Sequence, residues 1–394
     1  MLVHGHYLTD ARVRREAECL VKEGFEVHAI CVRGALGPNT SLEPSHEMVN
    51  GVHIHRVPLE KKRGGKLRYA FEYVALTLLG AWKLLLLSLE KRFDVIHIHN
   101  MPDVMVLAGL IPKWMGAVVI LDIHDPMSEM FQAKYDLRES HLLIRVLKLQ
   151  EWMCYRLADH LLTVSIPMAE NVAKKRGCSV DAVKIVHNFP DGSRFPIRVD
   201  RDGWPYNKDE IIFLFSGTVS EHYRLDIAVR ALAIVSQSIP NISFWILGGG
   251  NRLDEVLVLA KELRIGEKVK HIPPVDQAEV QNIMGNVDMG ITTHESGGFG
   301  DLYFSTKIIE FMTQGLPVIS SRTSTIEKYI PKDAIFYFEP EEVEGLVKAI
   351  IFMIKNPSLV QEKIRNSRKI LSEFTWQEEQ KKLLSFYEQL TRTR

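Results

Sequence analysis

The stretch Ser305-Thr306-Lys307-Ile308-Ile309-Glu310-Phe311-Met312-Thr313-Gln314-Gly315-Leu316-Pro317-Val318-Ile319 reads as a short helix followed by a buried strand. A Ser/Thr cap opens the helix, Gly315 closes it, and Ile308, Ile309, Phe311 and Met312 form its apolar stripe. Lys307 and Glu310 are three apart and share one face near the helix start. That end of a helix carries unpaired N–H groups and partial positive charge, which suits an anion. A sugar nucleotide would fit, with phosphate on the cation and ribose hydroxyls on the carboxylate. An ordinary ion pair on an amphipathic helix explains the same residues, and both readings stand at this point.

Length and composition bound the rest. A chain of 394 residues is long enough for about two domains, and 46% hydrophobic with 25% charged residues is the balance of a soluble globular protein. The 49 basic residues cancel the 49 acidic ones, so no global field favours nucleic acid. Cys19, Cys31, Cys154 and Cys178 have no metal-ligand spacing and read as reduced core residues of a cytoplasmic protein. Arg12, Arg14, Arg15 and Glu16 precede any apolar run, so no signal peptide is expected. Ala70 to Leu89 is strongly apolar, but Glu72 and Lys83 interrupt it, which argues against a transmembrane span. Either it is a core helix or it rests on an anionic membrane surface. The five cations of Lys61-Lys62-Arg63-Gly64-Gly65-Lys66-Leu67-Arg68 form a solvated basic loop on the first reading and a peripheral membrane contact on the second.

Strands and helices alternate along the chain. Met1–His4, Phe25–Val32, Asp94–His99, Ala117–Ile123, His160–Val164 and Lys184–Val186 read as strands of a first Rossmann-like domain over residues 1–189. Pro190, Gly192, Pro196, Gly203 and Pro205 mark a linker over 190–208. A second such domain over 209–375 begins with Ile211–Phe215 and the turn Ser216-Gly217-Thr218, and its next strand ends in Gly248-Gly249-Gly250. Residues 376–394 form an amphipathic helix expected to pack back on the first domain. The fold class is α/β, with two doubly wound Rossmann-like domains facing across a cleft and ligands at the strand ends. The loops Thr40–Asn50 and Thr292–Leu302 carry no readable code.

The first domain contains H-I-H-N-M-P-D (His97–Asp103), G-A-V-V-I-L-D-I-H-D-P-M (Gly116–Met127), A-D-H-L-L-T-V-S (Ala158–Ser165) and V-H-N-F-P-D (Val186–Asp191). The second contains F-S-G-T-V-S-E-H-Y-R-L-D-I-A-V-R-A (Phe215–Ala231), I-L-G-G-G (Ile246–Gly250) and the opening stretch. In order and spacing, from Thr9 to Leu390, these resemble retaining family-4 glycosyltransferases of the bacterial and archaeal polysaccharide type. The resemblance implies the GT-B fold, a nucleotide-sugar donor on the second domain and a glycan or lipid-linked acceptor on the first. It assigns catalytic roles to His124, beside the reacting sugar carbon, and to Glu310, on the ribose hydroxyls. It also implies donor contacts at Gly217, Thr218, Arg224, Gly248, Gly250, Ser305, Thr306 and Lys307. Asn100, Asp103, Asp125 and Asp301 are further cleft candidates. Two departures stand out. Gly217-Thr218 replaces a frequent Gly-Arg, and the first of the family's two glutamates would fall at Leu302, with Asp301 adjacent and Glu295 seven residues early.

No cofactor and no metal are expected. His97 and His99 share a strand face without a third ligand at metal spacing, and Asp200-Arg201-Asp202 lies in the linker with a cation between its acids. Helix N-termini, Lys307 and Arg224 would stabilise the leaving diphosphate instead. The expected function is retaining sugar transfer from a nucleotide-diphosphate sugar to an acceptor hydroxyl, in the cytoplasm or on the inner membrane face. Two alternatives share the fold: a degenerate, non-catalytic nucleotide-binding or partner protein, and a nucleotide-sugar epimerase or hydrolase. A dehydrogenase is disfavoured, since neither domain has G-x-G-x-x-G after its first strand.

Overall fold

Apolar runs such as Val118–Ile123 and Ile211–Ser216 lack the alternation of a half-solvated sheet, so they demand cover on both faces. The computed structural model provides it. All residues are described except 35–41, 61–65, 193–194, 199–200, 202, 207–208 and 393–394, and the side chains of 66 and 67. The chain forms two compact units, Met1–Asn188 with Glu379–Arg394, and Phe189–Glu378.

The first unit holds strands β1 (Leu2–Val3), β2 (His28–Val32), β3 (His46–Val49), β4 (Val52–Val57), β5 (Val95–His99), β6 (Val118–Ile123), β7 (His160–Thr163) and β8 (Val183–Ile185). Their order is β3-β4-β2-β1-β5-β6-β7-β8, and among these pairs only β3–β4 is antiparallel. The hairpin β3–β4 turns on Asn50 and Gly51, both at positive φ, the geometry that Asn-Gly favours. It falls partly in the loop that had no readable code. β2 begins three residues later than the sequence suggests, because Gly24 takes positive φ and the Phe25 N–H returns to the Leu20 carbonyl, closing the preceding helix. The strand order reverses between β1 and β5, the switch point where such sheets bind ligands.

The second unit holds β9 (Ile211–Ser216), β10 (Ile242–Leu247), β11 (Val269–Ile272), β12 (Met289–Thr292), β13 (Val318–Ser321) and β14 (Phe336–Phe338), all parallel, in the order β11-β10-β9-β12-β13-β14. Its switch point lies between β9 and β12. The helix Thr306–Thr313 seats Phe311 on Gly290 of β12, where an added Cβ would come within 2.2 Å of the ring. Ile308, Ile309 and Met312 are buried beside it.

The stretch 190–208, expected as a linker, belongs to this second unit. Arg201 donates to the carbonyls of Met284 (2.8 Å), Gly285 and Val287, and the Trp204 indole donates to Asp288 O at 2.9 Å. An arginine and a tryptophan that satisfy buried carbonyls turn a Pro/Gly-rich segment into packed structure. Asp200 and Asp202 lie outside the described residues. From Glu379 onward the C-terminal helix belongs to the first unit, where Tyr387 Oη lies 2.7 Å from His97 Nδ1 on β5.

Candidate functional site

In the second unit the head of the helix Thr306–Thr313 is left open. Ser305 occupies the N-cap position, yet its hydroxyl makes no capping bond and has no hydrogen-bond partner among the described residues. First-turn N–H groups are therefore not satisfied by that side chain. Lys307 Nζ lies 2.9 Å from both carboxylate oxygens of Glu310. Burial works against the Lys307 charge, but Glu310 outweighs it and raises the ammonium pKa. The ion pair of the plainer reading is thus formed, at the same open helix end that the anion reading needs.

The glycines have a reason inside the fold. A Cβ on Gly248 would sit 2.0 Å from Gly217 O, and one on Gly250 2.0 Å from Val219 O. Close approach of the loops after β9 and β10 therefore requires them, with Gly217 itself at φ 149. Thr218 is exposed. Arg224 turns to carboxylates, with Nε 3.1 Å from Asp226 Oδ1 and Nη1 3.9 Å from Glu341. It lines a cavity of about 450 Å³ together with Glu221, Arg252 and Glu295. Of the acids near the missing first glutamate, Asp301 accepts from the N–H groups of Gly297 (3.0 Å) and Ser324 (3.2 Å), so it organises backbone. Glu295 pairs with His222 at 3.1 Å and faces the cavity.

Sequence reasoning missed an aromatic cluster at this switch point. His294, just after β12, packs 5.3 Å from the Tyr223 ring and 5.7 Å from the Tyr303 ring, and Tyr223 Oη donates to Tyr303 Oη at 3.0 Å. Both ring nitrogens of His294 are buried without a hydrogen bond among the described residues, and burial, then the charge of His222, lowers its pKa to about 4. Its position directly after a buried strand was the available signal.

In the first unit the loops after β5 and β6 are stapled by Asn100. Its Oδ1 accepts from the His124 N–H at 2.7 Å, and its Nδ2 donates to Asp103 Oδ1 (2.8 Å) and Asp125 O (2.7 Å). Asn100, His124 and Asp125 line a cavity of about 320 Å³ with Asp10, Tyr73 and Lys134. Asp103 is fully buried, and burial followed by Glu151 pushes its pKa up to about 7. The His124 ring is held by Asp122 Oδ2 at 2.9 Å and stands 3.3 Å from His99 Nδ1. Burial opposes ionisation of Asp122, yet the charge and hydrogen bond of His124, with His97 and His99 also close by, hold its carboxyl well below the usual range.

One expectation is corrected here. His97 and His99 do gain carboxylates: Glu16, His97, His99 and Asp122 each offer a ligand atom within 4.8 Å of the others, all buried. Glu16 Oε2, His97 Nε2, His99 Nε2 and Asp122 Oδ1 make no hydrogen bond among the described residues. The carboxylates arrive from a different strand and a distant helix, which no sequence spacing reveals.

Two family profiles match this chain: "Glycosyl transferase 4-like domain" over residues 9–188 and "Glycosyl transferases group 1" over residues 197–370. The chain is a family-4 type, GT-B glycosyltransferase. This transferase is 22% identical over 378 residues to one of the subunits of human phosphatidylinositol N-acetylglucosaminyltransferase, covering 93% of the chain and 70% of that protein. Its fold is similar to that of the sucrose-phosphate synthase from Thermosynechococcus elongatus, with a TM-score of 0.75, 17% identity and coverage of 97% and 93%. It is also similar to Anabaena HepE in complex with UDP and glucose, with a TM-score of 0.69, 13% identity and 98% coverage of both chains.

Proposed function

We propose that the transferase moves a sugar, with retention of anomeric configuration, from a nucleoside-diphosphate sugar to a hydroxyl of a glycan or lipid-linked acceptor. The second unit would hold the donor and the first the acceptor. One observation carries this reading: an uncapped helix end at strand termini, with Lys307 and Glu310 on its first turns. N–H groups there suit a diphosphate, and fixed donors aimed at developing charge assist its departure without reorganisation. Lys307 supplies the cation in this scheme once the nucleotide displaces it from Glu310, and Arg224 would have to leave Asp226 and Glu341 to add a second. Glu310 accepts from the ribose hydroxyls. His124, oriented by Asp122, lines a cavity of the first unit and is the residue that the family resemblance assigns to the sugar. Thr218 and the backbone at Gly217, Gly248 and Gly250 border the donor.

No divalent ion takes part in this scheme, because the leaving group is neutralised by backbone N–H groups and one lysine. UDP and glucose bound to HepE support a nucleotide-sugar donor, and the phosphatidylinositol in the human relative's name supports a lipid-linked acceptor. The protein would then work in the cytoplasm at an anionic membrane face, drawn there by the cations of 61–68. Of these, Lys61, Lys62 and Arg63 lie outside the described residues, and Arg68 pairs with Glu72 at 2.7 Å. A non-catalytic binding protein or an epimerase is not favoured by relatives that are transferases. Release of nucleoside diphosphate from a donor panel, dependent on a lipid extract and unaffected by EDTA, tests the proposal.

A further inference from the structure

The helix Lys66–Glu90 is long and apolar enough to cross a membrane, yet one side of it is core. Leu76, Leu84 and Leu87 are buried, a Cβ on Gly80 would touch the Leu2 side chain of β1 at 3.0 Å, and Glu72 is fully buried beside His4 and Arg68. It therefore lies flat on the sheet. Its other side exposes Phe71, Val74, Leu78, Trp82 and Leu89, spaced three, four or seven apart along one stripe.

The stripe has neighbours. Connections β4→β5, β5→β6 and β6→β7 all run the same way across the sheet, so right-handed crossovers put their helices on one face. The short helical segment Asp103–Gly109 packs against both Lys66–Glu90 and Leu142–Leu157. Leu142–Leu157 exposes Leu142, Val146, Leu149 and Trp152 in turn, over a buried side of Ile144, Leu147 and Tyr155. Trp82, Trp114 and Trp152, at 60%, 81% and 45% exposure, all lie in this layer, whereas Trp204 and Trp376 are buried in the second unit.

Charge decides the occupant. Among the described residues of these helices the acids Glu72, Asp103 and Glu151 are buried, and only the terminal Glu90 is exposed. The cations Lys83, Lys113, Arg145, Lys148 and Arg156 are partly or fully exposed; Lys113 pairs with Asp159 at 2.8 Å and Lys148 with Glu139, both acids just outside the helices, and Arg156 stacks on Trp152 at 4.1 Å. Apolar side chains, interfacial tryptophans and the cations Lys83, Arg145 and Arg156 fit the headgroup boundary of an anionic leaflet. We propose that this three-helix face inserts into an anionic lipid leaflet as a monotopic docking surface. It deepens the membrane reading above, but rests on apolar insertion by residues outside 61–68.

The test uses full-length protein and phosphatidylcholine vesicles with or without phosphatidylglycerol. The parent should float with the anionic vesicles, resist release by salt more than a purely electrostatic contact, and show quenching of tryptophan emission by brominated acyl chains. Leu78→Glu and Leu149→Glu, both at exposed positions, should each lower partitioning about tenfold or more at unchanged melting temperature. Arg145→Glu should weaken binding to anionic vesicles only. A parent that ignores anionic vesicles at low salt, or variants that bind like the parent, would overturn the proposal. So would a parent dimer in sedimentation that Leu78→Glu dissociates without any vesicle binding. Nucleoside-diphosphate release is scored separately: vesicle binding without turnover counts against the transferase reading alone, and turnover without vesicle binding against this surface alone.

Discussion

Lys307 Nζ lies 2.9 Å from both carboxylate oxygens of Glu310, closing an ion pair within one turn at the open end of the helix Thr306–Thr313. A nucleotide that engages both groups exchanges this pair for phosphate and ribose contacts. Glu310→Gln should weaken nucleotide-sugar binding by about 1–3 kcal/mol, the range for a charged hydrogen-bond partner. Lys307→Ala should weaken a nucleoside diphosphate more than the nucleoside. Calorimetry checks both, and parent-like affinities in the two variants would contradict the donor site.

Gly248→Ala and Gly250→Ala should destabilise the second unit by about 1–3 kcal/mol, because each new methyl meets a carbonyl oxygen at 2.0 Å. Thermal unfolding reads this without ligand. An unchanged melting temperature with lost donor binding would assign the glycines to the ligand instead.

His294 predicts a pH dependence. Its folded pKa is lowered to about 4 by burial and then by His222, while an unfolded histidine titrates at about 6.5. Between these values the unfolded chain binds more protons. The stability associated with the neutral ring is therefore complete above about pH 6.5 and is lost as pH falls toward 4, by up to about 3 kcal/mol. His294→Leu leaves no unpaired nitrogen and should flatten melting temperature against pH over that window. Parallel curves for parent and variant would contradict the assignment.

Turnover should persist in excess EDTA. Complete loss with rescue by Mn²⁺ would point to the buried group Glu16, His97, His99 and Asp122, whose ligand atoms lie within 4.8 Å of one another. Metal analysis of the Asp122→Asn variant would then identify the site.

What was legible in the sequence is what short-range pattern encodes. The stripe Ile308, Ile309, Phe311 and Met312 and the glycine after it located a helix whose buried face is those four residues and Thr313. The sequence also contained Asn50-Gly51, and the hairpin there went unread because β3 is only four residues long. Composition could not divide Ala70–Leu89 into a core side and an exposed side, since apolar residues surround that helix and only the sheet selects Leu76 and Leu84 for burial. In the sequence Asp122 is one polar residue in an apolar strand. Its role emerges only when β5 brings His97 and His99 beside it, a pairing no local spacing carries.

The central claim is sugar transfer, and one assay addresses it directly. Parent protein is incubated with a panel of nucleotide sugars and a lipid extract, and nucleoside diphosphate and glycosylated product are followed by mass spectrometry, with the product's anomeric configuration read by NMR. The account predicts acceptor-dependent release of one nucleoside diphosphate, a product that keeps the donor's configuration, and loss of both in Glu310→Gln. Binding of nucleotide with no product from any donor would contradict it and make the chain a binding protein.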